Sequence, residues 1–392
     1  MFPEELVVWY AQHGYQFLGL SEHNKLANIE TWVSAAAVRD RAGDDVNART
    51  DQQFGAAHLV TRTRDGVEEW RLRTLRELRL QFEAAGRFLL LSNEEVTNEA
   101  ANMPIHLTAV NISEPVAPVN DVTAVSAIEE TLRRVEWVSQ RQGYPALGVI
   151  NHPNFAWAIG ADLLAQAKAA QFVEIFNGHP YTASRGDIGK RSVVRLWDMA
   201  NAERVLEHGW PPLFGVAGDD AHARFGADEA TPGRGWIVVR APRLAATDLI
   251  VAMKKGDFYA STGVTLARCD YNAKNRELSV AIVPAAGVAY LTEFVATKAA
   301  AQPLASMTAA DRWDSPLVGV VVGRESATKA RYRLANDDVF VRATVTASRR
   351  PSNPIASAYA GDDSQFEQAF TQPVGWQHYL VSKGPGLRGC KH

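Results

Sequence analysis

Five short apolar runs in this chain each end at histidine, carboxylate or asparagine side chains, and this repetition restricts the possible folds more than any single motif. The runs cover residues 17–20, 88–91, 147–150, 172–176 and 213–217. The side chains that follow them are, in order, Glu22 and His23, Glu94 and Glu95, Asn151 and His152, Asn177 and His179, and Asp219, Asp220 and His222. Parallel strands covered on both faces read as continuous apolar runs, and in β/α barrels reactive groups gather at their carboxyl ends. The pattern therefore predicts an enzyme built on a β/α barrel.

Apolar runs alternate with helical patterns from residue 1 to about residue 263, which is typical of β/α units around a parallel sheet. The predicted helices cover residues 3–12, 72–83, 121–142, 192–207 and 244–255. Residues 39–51 are charged and poor in apolar side chains, so they are predicted to form an exposed insertion. Such an insertion is either a lid over a site or an ordinary solvated loop.

The pattern changes after residue 263 to shorter β-rich stretches separated by turn residues. These stretches cover residues 277–283, 317–322, 332–334 and 339–346, and they predict a small antiparallel β-sandwich. We therefore divide the chain into a barrel domain of residues 1–263 and a β-sandwich accessory domain of residues 264–392. The second domain carries no cluster of catalytic residue types, so we expect it to pack against the barrel or to bind a partner.

Composition restricts the possible partners and metal ligands. A net charge of −3 gives no basic surplus for binding nucleic acid or an anionic membrane, so neither partner is expected. The sequence has no run of membrane-spanning length and no signal-peptide pattern at its start, which predicts a soluble chain. Cys269 and Cys390 are too few for a thiolate zinc site, and both a bridge between them and two free thiols stay open. Any metal must therefore be bound by histidine and carboxylate.

Two of the polar clusters carry the strongest metal-binding signals. Adjacent carboxylates at Glu94 and Glu95 would repel each other at a buried strand end unless a cation compensates them. Because side chains alternate along a strand, only one of the two faces inward, and we predict Glu95. Asp220 and His222 are two residues apart, so an extended segment would turn both to the same face. This pair is the most specific local signal.

Four histidines add weaker signals. His23 stands beside Glu22, which could orient it or bridge a metal. His152 precedes a proline, which predicts extended geometry for its backbone. His106 comes before an apolar stretch, and taken alone it fits a hydrogen-bonded core histidine. His179 lies in a predicted turn, where it either caps the turn or contacts substrate.

Three basic residues, Arg185, Lys190 and Arg191, follow the fourth apolar run. Basic side chains at the mouth of such a site could reach a substrate phosphate, although a solvated helix start would give the same pattern. The nucleophile-elbow pattern, the phosphate-binding P-loop and the dinucleotide fingerprint are all absent from the sequence. The chain therefore gives no signal for a serine nucleophile or a bound nucleotide cofactor.

The order of these segments resembles the polymerase and histidinol phosphatase (PHP) family of metal-dependent phosphoesterases. The matching segments are Leu-Ser-Glu-His-Asn at residues 20–24, Asn-Glu-Glu-Val-Thr at 93–97, His106, Asn-His-Pro at 151–153 and Gly-Asp-Asp-Ala-His at 218–222. The resemblance spans most of residues 1–263 and implies a distorted seven-stranded β/α barrel. The carboxy-terminal region, with its stretch around Tyr332 and its Gln-Pro-Val at 372–374, looks like the sandwich of a carbaryl-hydrolase-like branch.

The resemblance implies two or three divalent metal ions, of zinc, manganese or iron, at the mouth of the barrel. In that family pattern, Glu95 would bridge two of the metals. Asp220 would bind the first metal, His106 and His152 the second, and His23 and His222 the third. A metal-activated hydroxide would then attack phosphorus without a protein nucleophile. The implied activity is hydrolysis of a small phosphorylated molecule, in which Glu95, Asp220 and His222 have the catalytic roles.

The sequence departs from the family pattern in two places. Glu22 stands where the family usually has aspartate, and the His-x-His strand that opens the family barrel does not occur in the chain. The resemblance therefore predicts a barrel that lacks its first strand. Either the native protein begins upstream, with a signal peptide and secretion as one option, or the chain is a degenerate homologue. We favour the first explanation because the other ligand positions are intact.

Two further hypotheses accompany the phosphoesterase prediction. A carbamate, amide or ester hydrolase would use the same metals on a carbonyl carbon. A non-catalytic homologue would bind a ligand or a partner without turnover. The substrate, the metal and the oligomeric state stay open at the level of sequence.

Overall fold

The structure is a computed structural model that describes residues 2–55, 58–120, 122–224, 226, 228–305, 307–362 and 364–382. Cys390 lies outside the described residues, and the predicted alternatives for its pairing with Cys269 therefore lie outside them too. The described part of the chain is a mixed α/β protein whose strands form four separate sheets. One of these sheets curls into half of a barrel.

The helices and strands follow one another in the order that the sequence pattern predicts for much of the chain. The helices are α1 (Pro3–Gln12), α2 (Ala35–Ala42), α3 (Val46–Phe54), α4 (Leu75–Phe82), α5 (Ala124–Gln142), α6 (Ala161–Gln166), α7 (Val193–Leu206), α8 (Ala246–Lys254) and α9 (Trp376–Ser382). The strands up to residue 239 are β1 (Phe17–His23), β2 (Thr31–Ser34), β3 (Thr61–Arg64), β4 (Val67–Leu72), β5 (Leu89–Ala100), β6 (Met103–Val110), β7 (Leu147–Ile150), β8 (Phe172–Asn177), β9 (Phe214–Gly218) and β10 (Trp236–Val239). The later strands are β11 (Phe258–Ser261), β12 (Leu266–Asn272), β13 (Glu277–Ile282), β14 (Tyr290–Lys298), β15 (Val320–Glu325), β16 (Lys329–Arg333), β17 (Asp338–Ala347) and β18 (Gln368–Thr371). None of the helices in the described ranges is long and apolar enough to cross a bilayer.

The half-barrel is a six-stranded sheet with the order β1-β5-β6-β7-β8-β9. Its strands pair in parallel except for β6, which runs antiparallel to both β5 and β7. Strand β6 reverses because a two-residue turn follows β5, in which Ala101 and Asn102 take left-handed φ angles of 51° and 61°. An all-parallel sheet was predicted, and a closed barrel is not observed among the described residues. The parallel strands nevertheless direct their carboxyl ends to a common rim.

Helices on the outer face of the half-barrel supply its hydrophobic core. Thr123 begins α5 by accepting a hydrogen bond from the Ser126 amide, and Ser192 begins α7 in the same way. The fully buried Trp197 on α7 packs with side chains of β6, β7 and β8 in the largest core cluster. This packing fixes the strands from outside and leaves their inner face available.

The segment between β1 and β5 forms a small folded unit rather than an exposed loop. Strands β2, β4 and β3 make an antiparallel sheet, and α2 and α3 pack against it around the fully buried Trp70. Residues 39–51 were predicted to be a solvated insertion, yet they lie largely within α2 and α3. Ala35 and Val46 anchor the two helices in this core, while most other side chains in α2 and α3 are partly or fully exposed. The low apolar content of residues 39–51 therefore reflects short helices that bury only a few side chains.

The carboxy-terminal region contains two antiparallel sheets that share one hydrophobic core. The larger has the order β10-β11-β18-β17-β14-β15, and the smaller has the order β12-β13-β16. Strands β10 and β11 precede residue 263, so the larger sheet takes strands from both sides of the predicted domain boundary. A buried core that includes Trp197 and Phe370 also joins this sheet to the half-barrel. The rim of the half-barrel, where the parallel strands end, therefore belongs to a unit that both the amino-terminal and the carboxy-terminal parts of the chain stabilise.

Candidate metal centre

The carboxylate of Glu95 on β5 is surrounded by three histidines from neighbouring strands, namely His23 at the end of β1, His106 within β6 and His152 just after β7. Its Oε1 atom lies 3.2 Å from Nδ1 of His106 and 3.2 Å from Nε2 of His152. Its Oε2 atom lies 3.6 Å from Nδ1 of His23. His23, Glu95 and His106 each offer a ligand atom within 4.8 Å of the others. Four of the six predicted metal ligands therefore meet at one point.

Strand register explains why these side chains meet. His23 is opposite Glu95 in the parallel pairing of β1 with β5, and His106 faces Thr97 across the β5–β6 hairpin. Glu94 points to the other face of β5, where its Oε2 accepts a hydrogen bond of 2.7 Å from the Val116 amide. The alternation that led to the choice of Glu95 over Glu94 is thus present in the fold.

The nitrogen and oxygen atoms of this cluster are arranged as ligands of a divalent cation rather than as hydrogen-bond partners of one another. Nδ1 of His106 is buried and finds no hydrogen-bond partner among the described residues, although Oε1 of Glu95 is only 3.2 Å away. An unsatisfied buried nitrogen beside a carboxylate is costly unless another group fills the space between them. Imidazole and carboxylate are the ligands that zinc, manganese and iron use in proteins. His23 is the more adaptable ligand, because it is half exposed and its Nδ1 also lies 2.6 Å from Oγ1 of Thr97.

Protonation of a histidine balances part of the negative charge in this cluster. Burial opposes a charge on His152, but its hydrogen bond to Glu95 and the nearby Glu174 and Asp220 carboxylates raise the pKa of His152 to about 9. Burial also acts against the charged form of Glu95, yet His106 and His152 hold the pKa of Glu95 well below its usual value. The carboxylate is therefore ionised beside a protonated imidazole, and a cation would take the place of that proton.

Asp220 and His222 form a second pair at the end of β9. Oδ1 of Asp220 lies 3.6 Å from Nδ1 of His222, which also contacts the Asp220 carbonyl oxygen at 2.7 Å. An extended segment was predicted here, but Asp220 has a left-handed φ of 50° and no strand continues past Gly218. The pair is therefore brought together by a turn. His179 joins it, since the rings of His179 and His222 are 5.3 Å apart.

Glu174 is a site residue that the sequence analysis did not identify. It lies in the middle of β8, between β7 and β9, and its side chain faces the inside of the half-barrel between His152 and Asp220. Burial raises the pKa of Glu174 to about 7. His152 acts against this shift, and the nearby Asp220 carboxylate adds to it. A signal was available, because a single carboxylate interrupts the apolar run of residues 172–176. Charged side chains are rarely buried without a partner.

Asp219 has a structural role that separates it from its neighbour Asp220. It accepts hydrogen bonds from the Tyr10 hydroxyl at 2.6 Å and from three consecutive backbone amides at residues 233–235, each at 2.7 Å. Burial raises the pKa of Asp219, while these hydrogen bonds act in the opposite direction. Asp219 thus fastens α1 and the segment before β10 beneath the site, and Asp220 is left to face the cavity.

Most of the predicted substrate contacts are placed elsewhere. The Arg185 guanidinium donates to Asp362 at 2.9 Å, and Arg191 is bound by Asp311 at 2.6 Å and by Asp314 at 2.5 Å. These two arginines are therefore engaged by carboxylates of the carboxy-terminal region, which differs from the predicted role in phosphate binding. Lys190 is exposed, with its Nζ atom 5.3 Å from the centre of the Trp157 ring. Glu22 is also exposed at the end of β1 and lines the cavity rather than the histidine cluster.

Side chains from both sets line one large cavity on the inner face of the half-barrel. The cavity has a volume of about 1570 Å³, and its polar end is lined by His23, Glu95, Asn151, Glu174, His179, Asp220 and His222. Apolar side chains such as Leu20, Val149 and Val216 line the remainder. A substrate of moderate size could therefore reach the cluster and leave its apolar part against the barrel wall.

Comparison with known proteins does not assign the chain to a group. No family model matches the chain, and no curated protein matches it at a significant level.

Proposed function

We propose that this protein is a metal-dependent hydrolase of the PHP type that cleaves phosphate esters. The observation that carries the proposal is the arrangement around Glu95, where a buried carboxylate contacts three histidines and the buried Nδ1 of His106 lacks a hydrogen bond among the described residues. Such a set, open to a cavity large enough for a substrate, is the usual environment of a catalytic divalent cation.

Six side chains would hold two or three cations. Glu95, His106, His152 and His23 would form one group, and Asp220 and His222 would extend it across the rim. When bound, zinc, manganese or iron would polarise a phosphoryl oxygen and lower the pKa of water to about 7. Asn151 supports this group by donating a hydrogen bond of 2.9 Å to Oε1 of Glu95. The side-chain amide of Asn151 thereby fixes the orientation of the Glu95 carboxylate that the three histidines contact.

His179 is placed to donate a hydrogen bond to the substrate. Its Nδ1 accepts a hydrogen bond of 3.2 Å from the Tyr181 amide, so the neutral ring carries its proton on Nε2. Burial, together with the nearby His222, holds the pKa of His179 below its usual value, although Asp220 acts in the opposite direction. A neutral imidazole with its proton on Nε2 can donate a hydrogen bond to a leaving-group oxygen and so stabilise the charge that develops there, while the proton stays on the ring.

A neutral carbonyl substrate is the second candidate, and one observation favours it. Arg185 and Arg191, which the sequence offered as possible contacts to a substrate phosphate or as a solvated helix start, are already paired with carboxylates. A carbamate, amide or ester would not require those charges, and the same cluster could activate water towards a carbonyl carbon.

Metal content and a substrate panel together test these proposals. The protein is purified without chelator, its zinc, manganese and iron are measured by mass spectrometry, and aryl phosphate esters are compared with aryl carbamates. We expect two or more equivalents of metal and hydrolysis of the phosphate esters. Faster hydrolysis of the carbamates would favour the second candidate, and bound metal without turnover of either series would favour a non-catalytic binding protein.

Variants on the two faces of β5 provide the matched comparison. Glu95→Gln should lose most of the bound metal, because an amide replaces the charged carboxylate at the centre of the cluster. Glu94→Gln changes the neighbouring carboxylate, which contacts the Val116 amide on the other face, and it should retain the metal. Equal metal content in the two variants would contradict the proposed centre.

A further inference from the structure

The carboxylate of Glu174 connects the two halves of the candidate centre through hydrogen bonds. Its Oε2 atom accepts one bond of 2.8 Å from the backbone amide of His152 and another of 3.0 Å from Nδ2 of Asn177. The same Asn177 amide group lies 3.3 Å from Oδ2 of Asp220. A continuous path therefore runs from the His152 backbone through Glu174 and Asn177 to the Asp220 side chain.

The two residues at the ends of this path have backbone conformations that need support. His152 has a φ of 20° and Asp220 a φ of 50°, and neither is glycine. Left-handed backbone at a non-glycine residue is disfavoured by the contact of its Cβ with the neighbouring peptide. His152 is moreover followed by proline, which led us to expect an extended backbone there. Such conformations persist only where surrounding groups hold them in place.

The surroundings of Glu174 fit an anchoring role. A Cβ atom added to Gly218 would stand 3.0 Å from Oε1 of Glu174, so the glycine at the end of β9 leaves room for the carboxylate. Asn177 is almost completely buried, and its Oδ1 accepts a hydrogen bond of 2.7 Å from the His179 amide. The amide group of Asn177 is thereby fixed in the orientation that presents Nδ2 to both carboxylates.

We propose that Glu174 is a positioning residue that holds the strained backbone of His152 and, through Asn177, the carboxylate of Asp220, and so sets the spacing between the two halves of the metal centre. The inference rests on the proposed function insofar as it concerns metal. Residues that orient metal ligands through a second hydrogen bond commonly change metal affinity 10- to 100-fold when they are removed.

The test compares Glu174→Ala with Glu174→Gln in the full chain. Glutamine keeps an oxygen that can accept from both the His152 amide and Asn177, whereas alanine removes the acceptor. The first measurement is made on metal-free protein labelled with ¹⁵N-histidine, in which the 10 histidines make the His152 amide assignable and its hydrogen exchange measurable. The second measurement is the dissociation constant for Zn²⁺ or Mn²⁺ alone. Glu94→Gln is the control, because it alters a buried carboxylate that also accepts from a backbone amide but lies away from the centre.

The expected result separates the variants clearly. Glu174→Ala should speed exchange of the His152 amide about 10-fold or more, since the hydrogen bond that this amide donates is lost. It should also weaken metal binding about 10- to 100-fold. Glu174→Gln should restore most of both properties, and Glu94→Gln should leave both unchanged.

Two results would overturn the inference. An unchanged His152 amide in folded Glu174→Ala would show that the carboxylate does not hold that backbone. A glutamine variant with a protected amide but metal binding as weak as in the alanine variant would show that Glu174 acts through its charge as a ligand. If the wild-type protein binds no metal, the proposed function fails, and the amide exchange still decides the positioning role separately.

Discussion

Arg342 on β17 donates two hydrogen bonds to the carboxylate of Asp198 on α7, from Nε at 2.8 Å and from Nη2 at 2.6 Å. Both side chains are almost completely buried, and the guanidinium also lies 5.1 Å from the centre of the Trp197 ring. The pair joins a helix behind the half-barrel to the central strand of the carboxy-terminal sheet. Because a buried charge cannot be left without its partner, each of the two parts depends on the other.

Breaking this pair should destabilise the whole chain. Arg342→Leu leaves the Asp198 carboxylate buried without compensation, which costs about 3–5 kcal/mol in the free energy of unfolding. The double variant Asp198→Leu/Arg342→Leu should recover most of that loss. Urea denaturation measures the difference, with Arg243→Ala in the exposed Arg243–Asp248 pair as a control that should change by less than about 1 kcal/mol. A double variant no more stable than Arg342→Leu would contradict the interpretation.

The carboxylate of Glu203 on α7 should make stability depend on pH. Burial raises the pKa of Glu203 to about 7, with Arg312 acting against the shift and Glu207 and Asp162 adding to it. The folded chain therefore binds this proton more tightly than the unfolded chain, so stability falls as pH rises from about 4.5 through 7. Glu203→Gln removes that loss, and its stability relative to wild type should increase between pH 5 and pH 8 in urea denaturation. If the stability difference between Glu203→Gln and the wild type were the same at pH 5 and pH 8, the raised pKa of Glu203 would be refuted.

Gly361 should be intolerant of a side chain. A Cβ atom at this position would lie 2.5 Å from the carbonyl oxygens of both Arg185 and Gly186, and backbone atoms cannot move aside as a flexible side chain can. Gly361→Ala is expected to cost about 1–3 kcal/mol in the free energy of unfolding. Gly323→Ala is a suitable control because its Cβ would meet only side-chain carbons, the nearest 3.3 Å away on Tyr332. Equal thermal stability of the two variants would show that the turn at Arg185 yields easily.

Kinetics of two variants test where the substrate binds. Arg191→Ala should leave KM nearly unchanged, since its guanidinium is engaged by Asp311 and Asp314. His179→Ala removes the donor at Nε2 and should lower kcat/KM about 10-fold or more for substrates with poor leaving groups. Substrates with good leaving groups need less stabilisation of the departing oxygen, so the effect on them should be smaller. A raised KM in Arg191→Ala would restore the predicted phosphate contact.

The sequence predicted those parts of the fold that depend on local pattern. The apolar runs predicted β8 and β9, and proline at the start and glycine after the end predicted α1 almost to the residue. The turn between β5 and β6 was missed because Ala101 and Asn102 supply left-handed backbone without glycine. The direction of β6, and with it the mixed sheet, follows from that turn.

The candidate site was predictable where a ligand follows an apolar run in the sequence and less predictable where it precedes or interrupts one. His23, Glu95, His152, Asp220 and His222 were found from their positions, whereas His106 was identified only through the family resemblance. Glu174 was overlooked because its neighbours at 172–176 are apolar, so the run as a whole predicted a strand covered on both faces. The ion pairs of Arg185 and Arg191 connect positions more than 100 residues apart, which no local pattern reveals.

Glu95 and the three histidines around it come from four strands, or from the residues just after them, spread between positions 23 and 152. A chain that has not yet aligned β1, β5, β6 and β7 therefore contains no pocket that can retain an ion. Metal would be captured late, after the half-barrel has formed, and lost again whenever these strands separate. The number of ions retained per chain would then measure how much of a preparation has completed folding, as well as how tightly the centre binds.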